Sequence, residues 1–278
     1  MEVEEFLPQT QSEQLNKPYE PLYSICITHY NNVKTLEASL NSILNQIDSS
    51  FEVILVDNYS NDGSDTVLTR YSKAGKIRLI KAKCSRGRGR QIAFENSSGK
   101  YIISNIDMDE VYEMKLTNLI QFYNACCEGN LLLVVSGSQK DIRGLQNVTV
   151  ATRLLIWELG GWNDIQYGED WDIWSRAAKI GRYCWTEYNL LKAPNQHLEQ
   201  SKLLNKIRLR YFRYRDFMRL HRKHYFEAER MSLSQWVIYL LAKMSLPLYQ
   251  SYGDDFNQHF NPYDPIYFKP WLDVEKSF

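Results

Sequence analysis

The sequence predicts an α/β fold in which a mostly parallel β-sheet is covered by helices on both faces. Between residues 22 and 106, short runs rich in β-branched and aromatic residues alternate with segments whose apolar residues recur at helical spacing. This alternation is typical of β-α-β units with parallel strands. The first two strand-like runs, 23–28 and 51–56, are apolar almost throughout. Strands buried on both faces have this pattern.

The expected elements follow one another along the chain. Strands are predicted at 23–28, 51–56, 76–82, 101–106, 131–138 and in the first part of 148–162. Helices are predicted at 33–46, 64–75, within 83–99, at 114–128, in the segment that the Gly160-Gly161 pair closes, and at 169–179. Each helix lies between two strands or follows one, which is the order that a doubly covered sheet requires.

The length of 278 residues fits one large domain with an appendage. Residues 1–20 are polar, with neither a basic segment nor an apolar core typical of a signal peptide, so we interpret them as a leader. We expect the main domain at 21–200 and a basic, amphipathic helical region at 201–278. The aromatic segment 262–271 within that region fits a tail, a lid or a partner contact equally well.

Composition narrows the setting in which the protein works. The 33 basic and 33 acidic residues balance, so any basic surface must be local. Five cysteines, an odd number without a C-x-x-C pair, favour free thiols and a cytoplasmic location. Segment 233–249 is the most apolar, but Gln235, Lys243 and Pro247 interrupt it, so we expect no membrane-spanning helix. A helix lying on a membrane surface remains an alternative.

The run Asp107-Met108-Asp109 directly follows a predicted buried strand. Parallel α/β sheets bind ligands at the carboxyl ends of their strands. Two carboxylates there favour a divalent cation, which binds oxygen ligands from carboxylates and substrate phosphates. A solvated acidic turn is the alternative for an isolated run of this kind.

A polar stretch, 57–64, follows the second strand and precedes a helix. Asp57 and Asn58 are placed to accept hydrogen bonds from a base or a ribose. Ordinary turn and capping chemistry explains the same residues, because Asp62-Gly63 is a turn sequence and serines cap helices.

The run Arg86-Gly87-Arg88-Gly89-Arg90 combines glycines, which allow close backbone approach, with guanidinium groups that match phosphate geometry. A solvated basic run is the alternative. Neither a Walker A loop nor a G-x-G-x-x-G fingerprint after the first strand is present, which disfavours phosphoryl transfer and nicotinamide chemistry.

A fourth acidic group, Glu169 and Asp170, begins the predicted helix at 169–179. Acidic residues in a first turn also stabilise the helix dipole, so this alternative stays open. As catalytic groups they could remove a proton from a hydroxyl that acts as a nucleophile. We expect Asp170 to be this general base, with Glu169 as the second candidate.

Taken together, these motifs resemble glycosyltransferase family 2 in order and spacing over about residues 21–197. The matching segments are Thr28-His29-Tyr30-Asn31, the 56–64 stretch, Gly89-Arg90-Gln91, Asp107-Met108-Asp109, and Gly160-Gly161-Trp162 followed by Glu169-Asp170. The resemblance implies a GT-A fold and a metal-dependent, inverting transfer of sugar from a UDP- or GDP-linked donor to an acceptor hydroxyl.

The resemblance also implies roles for individual residues. It places Thr28, Tyr30, Asp57 and Asn58 around the nucleoside, Arg90 near the diphosphate, Asp107 and Asp109 at the ribose and a Mn²⁺ or Mg²⁺ ion, His197 as a further metal ligand, and Asp170 as the base. A lone surface histidine is the alternative for His197. Many relatives have aspartate where Asn58 stands. The Gln-x-x-Arg-Trp motif of processive synthases is missing, which favours addition of a single sugar.

The basic region raises the question of what the protein contacts. Ten Lys or Arg residues lie between 202 and 230, interleaved with aromatic and aliphatic residues. Such a helix is suited to lie on anionic lipid at the inner face of a membrane and to present the site to a lipid-linked glycan acceptor. A helix packed on the core with a solvated basic face is the alternative. We expect no nucleic-acid partner, because no recognisable nucleic-acid module accompanies the helix.

Two other functions compete with glycosyl transfer. A scaffold or sensor would bind the nucleotide sugar without transferring it, but the acidic groups around residues 107 and 170 argue against that function. A nucleotidyltransferase would usually have a glycine-rich loop after its first strand, whereas residues 28–35 contain no glycine.

Overall fold

The computed structural model describes residues 21–113, 116–127, 130–137, 147–193, 203–221 and 231–271. The strands are β1 (Tyr23–His29), β2 (Phe51–Asp57), β3 (Arg78–Lys81), β4 (Tyr101–Ser104), β5 (Val111–Tyr112), β6 (Leu132–Ser136), β7 (Asn147–Thr152), β8 (Tyr183–Glu187) and β9 (Leu191–Ala193). The helices are α1 (Val33–Leu44), α2 (Ser64–Lys73), α3 (Arg86–Glu95), α4 (Leu116–Cys127), α5 (Arg153–Glu158), α6 (Glu169–Lys179), α7 (Leu203–Arg219), α8 (Leu233–Ser245) and α9 (Asp255–His259).

Seven strands form one mixed sheet in the order β3-β2-β1-β4-β7-β6-β8. Only β7 runs antiparallel to its neighbours, so the predicted α/β fold with a mostly parallel sheet is confirmed. Strands β5 and β9 form a small antiparallel pair. Because β1, β2 and β4 are parallel neighbours, the residues that follow them reach the same edge of the sheet.

Apolar layers cover both faces of the sheet. Alternation along β1 directs Ile25 and Ile27 into the layer formed with α1, α2 and α4, and Cys26 into the layer formed with α3, α5 and α6. All three residues are essentially inaccessible to solvent. The nearly continuous apolar character of the first strands thus reflects burial on both sides. The five cysteines are free thiols.

Helices α7 and α8 form a hairpin with its own small apolar cluster. Tyr214 and Met218 of α7 pack with Ile238 and Ala242 of α8. The face of α8 directed away from this cluster is exposed and apolar: Leu233, Trp236, Val237, Leu240, Leu241 and Met244. In the described part of the chain, no helix is long and apolar enough to cross a membrane.

The segment that follows α9 packs against β8, the last strand of the sheet. Phe268 forms an isolated parallel bridge with Trp185, and the Lys269 amide donates to the Trp185 carbonyl over 2.8 Å. The Tyr183 hydroxyl donates to the Pro262 carbonyl, also over 2.8 Å. As far as residue 271, the aromatic segment is therefore part of the folded body.

Candidate active site

A cleft of about 360 Å³ opens where β1, β2 and β4 end. Residues 163–167, which we call the wall loop, contribute Gln166 and Tyr167 to its lining. The lining residues are Thr28, His29, Tyr30, Asn31, Asn32, Val56, Asn58, Cys84, Ser85, Arg86, Asp107, Met108, Asp109, Gln166, Tyr167 and Leu209. Polar and charged side chains therefore converge from elements that are far apart in sequence.

The cleft brings together five of the residues predicted from the sequence. Thr28 and Tyr30 line it from the end of β1, Asn58 from the end of β2, and Asp107 and Asp109 from the chain after β4. The Asn58 side-chain oxygen accepts a hydrogen bond from the Cys84 amide over 3.1 Å, which fixes the side chain in the cleft. Tyr30 is largely exposed at the mouth.

Asp57 lies below the cleft and does not line it. Its carboxylate is buried and accepts hydrogen bonds from the Ser60 amide at 3.0 Å and the Ser60 hydroxyl at 2.6 Å. These contacts are those expected from the alternative in which Asp57 stabilises the turn after β2. Its contact with the nucleoside stays a prediction.

The acidic strand end has the chemistry to hold a divalent cation. Asp107 is exposed and Asp109 partly exposed at the cleft, while Glu110 is buried behind them. Burial and the neighbouring charges of Asp107 and Asp109 raise the pKa of Glu110 to about 8. Negative charge is thus concentrated here, and hard cations prefer carboxylate oxygens.

Within the described ranges, no three His, Cys, Asp or Glu side chains are grouped to hold a metal ion. Asp107 and Asp109 would therefore share a cation with oxygens of the substrate, as Mg²⁺ sites with one or two protein carboxylates do. The predicted ligand His197 lies outside the described residues.

Arg90, Glu169 and Asp170 form a buried ion cluster beside the cleft. Arg90 is buried, and its guanidinium donates to the Glu169 carboxylate over 2.6 Å and to the Asp170 carboxylate. The Glu169 side chain is 2% exposed, whereas that of Asp170 is 20% exposed. Burial raises the pKa of Asp170 to about 7, although the adjacent Arg90 acts in the opposite direction.

Arg90 lies beside the cleft, and its expected place near the diphosphate stays a prediction. Its guanidinium is held by two carboxylates and does not line the cleft. Arg86, one helical turn earlier on α3, lines the cleft instead and lies 3.6 Å from the Glu169 carboxylate. The carboxylates of Glu169, Asp107 and Asp170 raise the pKa of Arg86. The Arg86 guanidinium therefore interacts both with the acidic strand end and with the ion cluster.

The glycines of the Arg86–Arg90 run are explained by contacts within the protein. A Cβ atom on Gly87 would lie 2.1 Å from the Asn163 carbonyl oxygen, and the Gly87 amide donates to the Ile165 carbonyl over 3.0 Å. At Gly87 the close approach is therefore made by the wall loop. At Gly89 it is made by Thr28, whose Cγ2 would lie 2.7 Å from an added Cβ atom. Gln91 of α3 also accepts a hydrogen bond from the Trp162 amide over 2.9 Å.

The wall loop is held from its other side by α7. The Gln166 amide donates to the Asp216 carboxylate over 2.8 Å, and Arg219 donates to the Asp164 carbonyl over 3.1 Å. Arg215 and Arg219 both contact the second oxygen of Asp216, which is completely buried. This ion network, Arg215–Asp216–Arg219, attaches the C-terminal hairpin to the cleft.

Several lining residues were not assigned a role from the sequence: His29, Ser85, Arg86, Gln166, Tyr167 and Leu209. His29 is buried, its Nε2 has no hydrogen-bond partner among the residues that the structure describes, and burial lowers its pKa. His29 and Arg86 stand inside recognised motifs and could have been found there. Tyr167 and Leu209 carry no such signal, because tertiary packing alone brings them to the cleft.

The fold and the cleft together define the class: a GT-A-type protein with an acidic ligand cleft at the carboxyl edge of its sheet. Residues 24–171, more than half of the chain, match the family model described as "Glycosyl transferase family 2". The chain belongs to this family, so the resemblance expected from the sequence is confirmed.

Two solved structures with the same fold are those of TarS and PcManGT. TarS 1–349 of S. aureus has 14% sequence identity and a TM-score of 0.54, with 81% of this chain and 80% of that chain covered. The mannosyltransferase PcManGT from Pyrobaculum calidifontis, in complex with GDP-Man and Mn²⁺, has 17% identity and a TM-score of 0.55, with 85% and 75% covered. At these identities the similarity shows the fold.

Curated relatives are similar over shorter segments. The putative teichuronic acid biosynthesis glycosyltransferase TuaG of Bacillus subtilis is 29% identical over 108 residues, which are 37% of this chain and 42% of that protein. The uncharacterized glycosyltransferase alr2836 of Nostoc sp. is 28% identical over 104 residues, with 36% and 32% covered. The matched part is therefore less than half the length of these relatives.

Proposed function

We propose that this protein transfers a single sugar from a nucleotide-diphosphate sugar to an acceptor hydroxyl, with inversion at the anomeric carbon and with a divalent cation. The observation that carries the proposal is the acidic pair Asp107 and Asp109 in a polar cleft, with the partly exposed Asp170 in an adjoining ion cluster. Membership of glycosyltransferase family 2 supports it.

The lining of the cleft supports a division of roles in donor binding. Thr28, Tyr30 and Asn58 would contact the nucleoside, and Arg86 would bind the diphosphate. Asp107 and Asp109 would hold the cation, which would neutralise charge on the departing diphosphate. Among the structural relatives, TarS was solved with UDP-GlcNAc and PcManGT with GDP-Man and Mn²⁺, so both UDP and GDP are candidate donor nucleotides.

Exposure favours Asp170 over Glu169 as the base. The Asp170 side chain is partly exposed and can contact a substrate. The Glu169 side chain is buried and paired with two arginines. In the proposed reaction, the Asp170 carboxylate takes the hydroxyl proton while the acceptor oxygen bonds to the anomeric carbon. The bond from that carbon to the diphosphate oxygen breaks, and the nucleoside diphosphate leaves with the bonding electrons.

The first test is a calorimetric titration with UDP and GDP, each with and without Mn²⁺. We expect one nucleotide to bind in a metal-dependent manner, because phosphate oxygens complete the coordination that Asp107 and Asp109 begin. Asp109→Ala should abolish the metal-dependent part. Asp255→Ala removes an exposed carboxylate on α9, outside the cleft lining, and should behave like the wild type.

The same titration can contradict the proposal. If neither nucleotide binds with any metal, the donor site is not functional. Metal-dependent binding without turnover of UDP- or GDP-sugars over an acceptor panel would favour the non-catalytic scaffold or sensor instead.

We also propose that the exposed apolar face of α8 contacts an anionic lipid surface. This face presents Leu233, Leu241 and Met244 to solvent, with Lys206, Arg208 and Arg210 exposed on the neighbouring helix α7. Apolar residues beside cations suit a membrane interface with negatively charged headgroups. A lipid-linked glycan or polysaccharide precursor is the acceptor class that this surface would favour.

Vesicle sedimentation tests the membrane proposal. We expect the protein to sediment with phosphatidylglycerol-containing vesicles at low ionic strength and less with pure phosphatidylcholine, because the cations add to apolar insertion. Leu240→Asp/Leu241→Asp should abolish sedimentation, whereas Ile180→Asp, at an exposed apolar position after α6, should not. Failure of the wild type to sediment would contradict the proposal. A concentration-dependent dimer that the double variant abolishes would assign the face to a second copy.

A further inference from the structure

A second cavity adjoins the cleft at the edge of the sheet, which is the proposed donor site and is called the donor cleft from here on. The second cavity is lined by basic side chains. It has a volume of about 500 Å³ and lies between α7, the start of α8 and the wall loop. Tyr167 and Leu209 line both this cavity and the donor cleft, so the two spaces are neighbours. The Tyr167 ring also lies 5.8 Å from the Arg86 guanidinium, on the side of the donor cleft. We call this second space the basic pocket.

Three cations give the basic pocket its charge. Lys206, Arg210 and Arg213 line it, and their spacing of four and three residues puts them on one face of α7. None of the described residues in the lining is acidic. By contrast, Arg215 and Arg219 on the same helix bind Asp216. Helix α7 thus carries both cations that bind Asp216 and cations that line a cavity.

The shape and the charge together select an anionic ligand. Guanidinium groups form paired hydrogen bonds to phosphate oxygens, and a lysine adds a point charge. A phosphate bound here would be stabilised by three positive charges in a concave site. The cavity has room for more than a phosphate, and it shares Tyr167 and Leu209 with the donor cleft.

We propose that the basic pocket binds a phosphate group of the acceptor, so that this protein glycosylates a phosphate-bearing acceptor at a hydroxyl held near the donor. The inference rests on the proposed glycosyl transfer and narrows its acceptor class. A lipid phosphate and a water-soluble phosphate ester share this chemistry. The experiment must therefore distinguish them from each other and from a free anion.

The test measures binding of three phosphate probes by calorimetry: farnesyl phosphate, glycerol 3-phosphate and inorganic phosphate. Farnesol and glycerol are the neutral controls. The phosphate esters should bind and the neutral controls should not. Arg210→Ala should lower affinity about tenfold, which is the size expected for one charged hydrogen bond. Arg210→Lys should restore part of it.

Two control variants locate the bound phosphate. Lys73→Ala removes an exposed cation of α2 that lines neither cavity and should leave affinity unchanged. Arg86→Ala removes the cation of the donor cleft; it should weaken nucleotide binding but leave the phosphate esters bound. A loss with Arg86→Ala but not with Arg210→Ala would overturn the inference, because the probes would then occupy the diphosphate position.

The remaining outcomes also decide the proposal. Preference for farnesyl phosphate identifies a lipid phosphate, and preference for glycerol 3-phosphate a soluble ester; either supports the inference. Binding of inorganic phosphate alone would overturn the acceptor role. If the nucleotide binds but no phosphate probe does, this inference fails while the proposed function stands. If the nucleotide does not bind, the proposed function fails, and with it the acceptor role.

Discussion

Replacing Asp170 with Asn is expected to lower the turnover number for sugar transfer by about a hundredfold to ten-thousandfold, the range for loss of a general base. The amide keeps the size of the carboxyl group and can still accept from Arg90, but it cannot take up the acceptor proton. Affinity for the nucleotide should be retained, because Asp170 does not line the donor cleft. Steady-state kinetics and calorimetry with the same preparations separate the two effects.

The same assignment predicts how kcat/KM changes with pH. Burial raises the pKa of Asp170 to about 7, so the carboxyl group is mostly protonated below that pH and cannot act as a base. The kcat/KM of the wild type should rise with pH and level off above about 7. Asp170→Asn should remove this rise from the residual activity.

Glu169→Gln is the matched variant. It changes a buried carboxylate that binds Arg86 and Arg90, so it should weaken diphosphate binding and stability. The rise in kcat/KM with pH should persist but move to lower pH, because the Glu169 charge helps to raise the pKa of Asp170. If Glu169→Gln removes the rise and Asp170→Asn retains it, the base has been assigned to the wrong carboxylate.

The second large effect concerns stability. Asp216→Ala is expected to lower the free energy of unfolding by about 3–5 kcal/mol, the cost of removing one partner from a buried ion pair. Arg215 and Arg219 would remain buried without their shared carboxylate, and the Gln166 amide would lose its acceptor. Urea denaturation followed by tryptophan fluorescence measures the difference.

An exposed ion pair provides the control. Glu37→Ala removes the carboxylate that binds Arg70, and both side chains of that pair are more than half exposed. Pairs of this kind contribute about 0–1 kcal/mol, so the control should unfold close to the wild type. Equal losses in the two variants would mean that Arg215–Asp216–Arg219 does not anchor the hairpin.

The type of fold and six of its strands were predictable because they depend on local patterns, whereas β5, β8 and β9 were not predicted. The buried strands show continuous apolar runs, and the acidic pair Asp107 and Asp109 directly follows one of them. The edge of a parallel sheet then brings together residues that end neighbouring strands, as it does for Thr28 and Asn58.

The sequence could not predict which of two arginines on the same face of a helix lines the cleft. Arg86 and Arg90 are four residues apart and share one face of α3, so their pattern cannot tell which reaches the cleft. The position of α6 decides it: Arg90 meets Glu169 and Asp170 in the first turn of α6, and Arg86 reaches the cleft. Asp216 presents the same difficulty, since its partner Gln166 is 50 residues away in sequence.

The chain around Phe268 has a consequence for aggregation. Strand β8 ends the sheet, and its outer backbone groups would be free to pair with a strand from another molecule. The bridge between Trp185 and Phe268 and the Lys269 amide occupy part of that edge. A fragment cut to the matched region, 24–171, would lose both β8 and this cover, leaving β6 as the unpaired margin of the sheet. The residues that match the family model are therefore a poor choice of boundaries for a fragment to be expressed by itself.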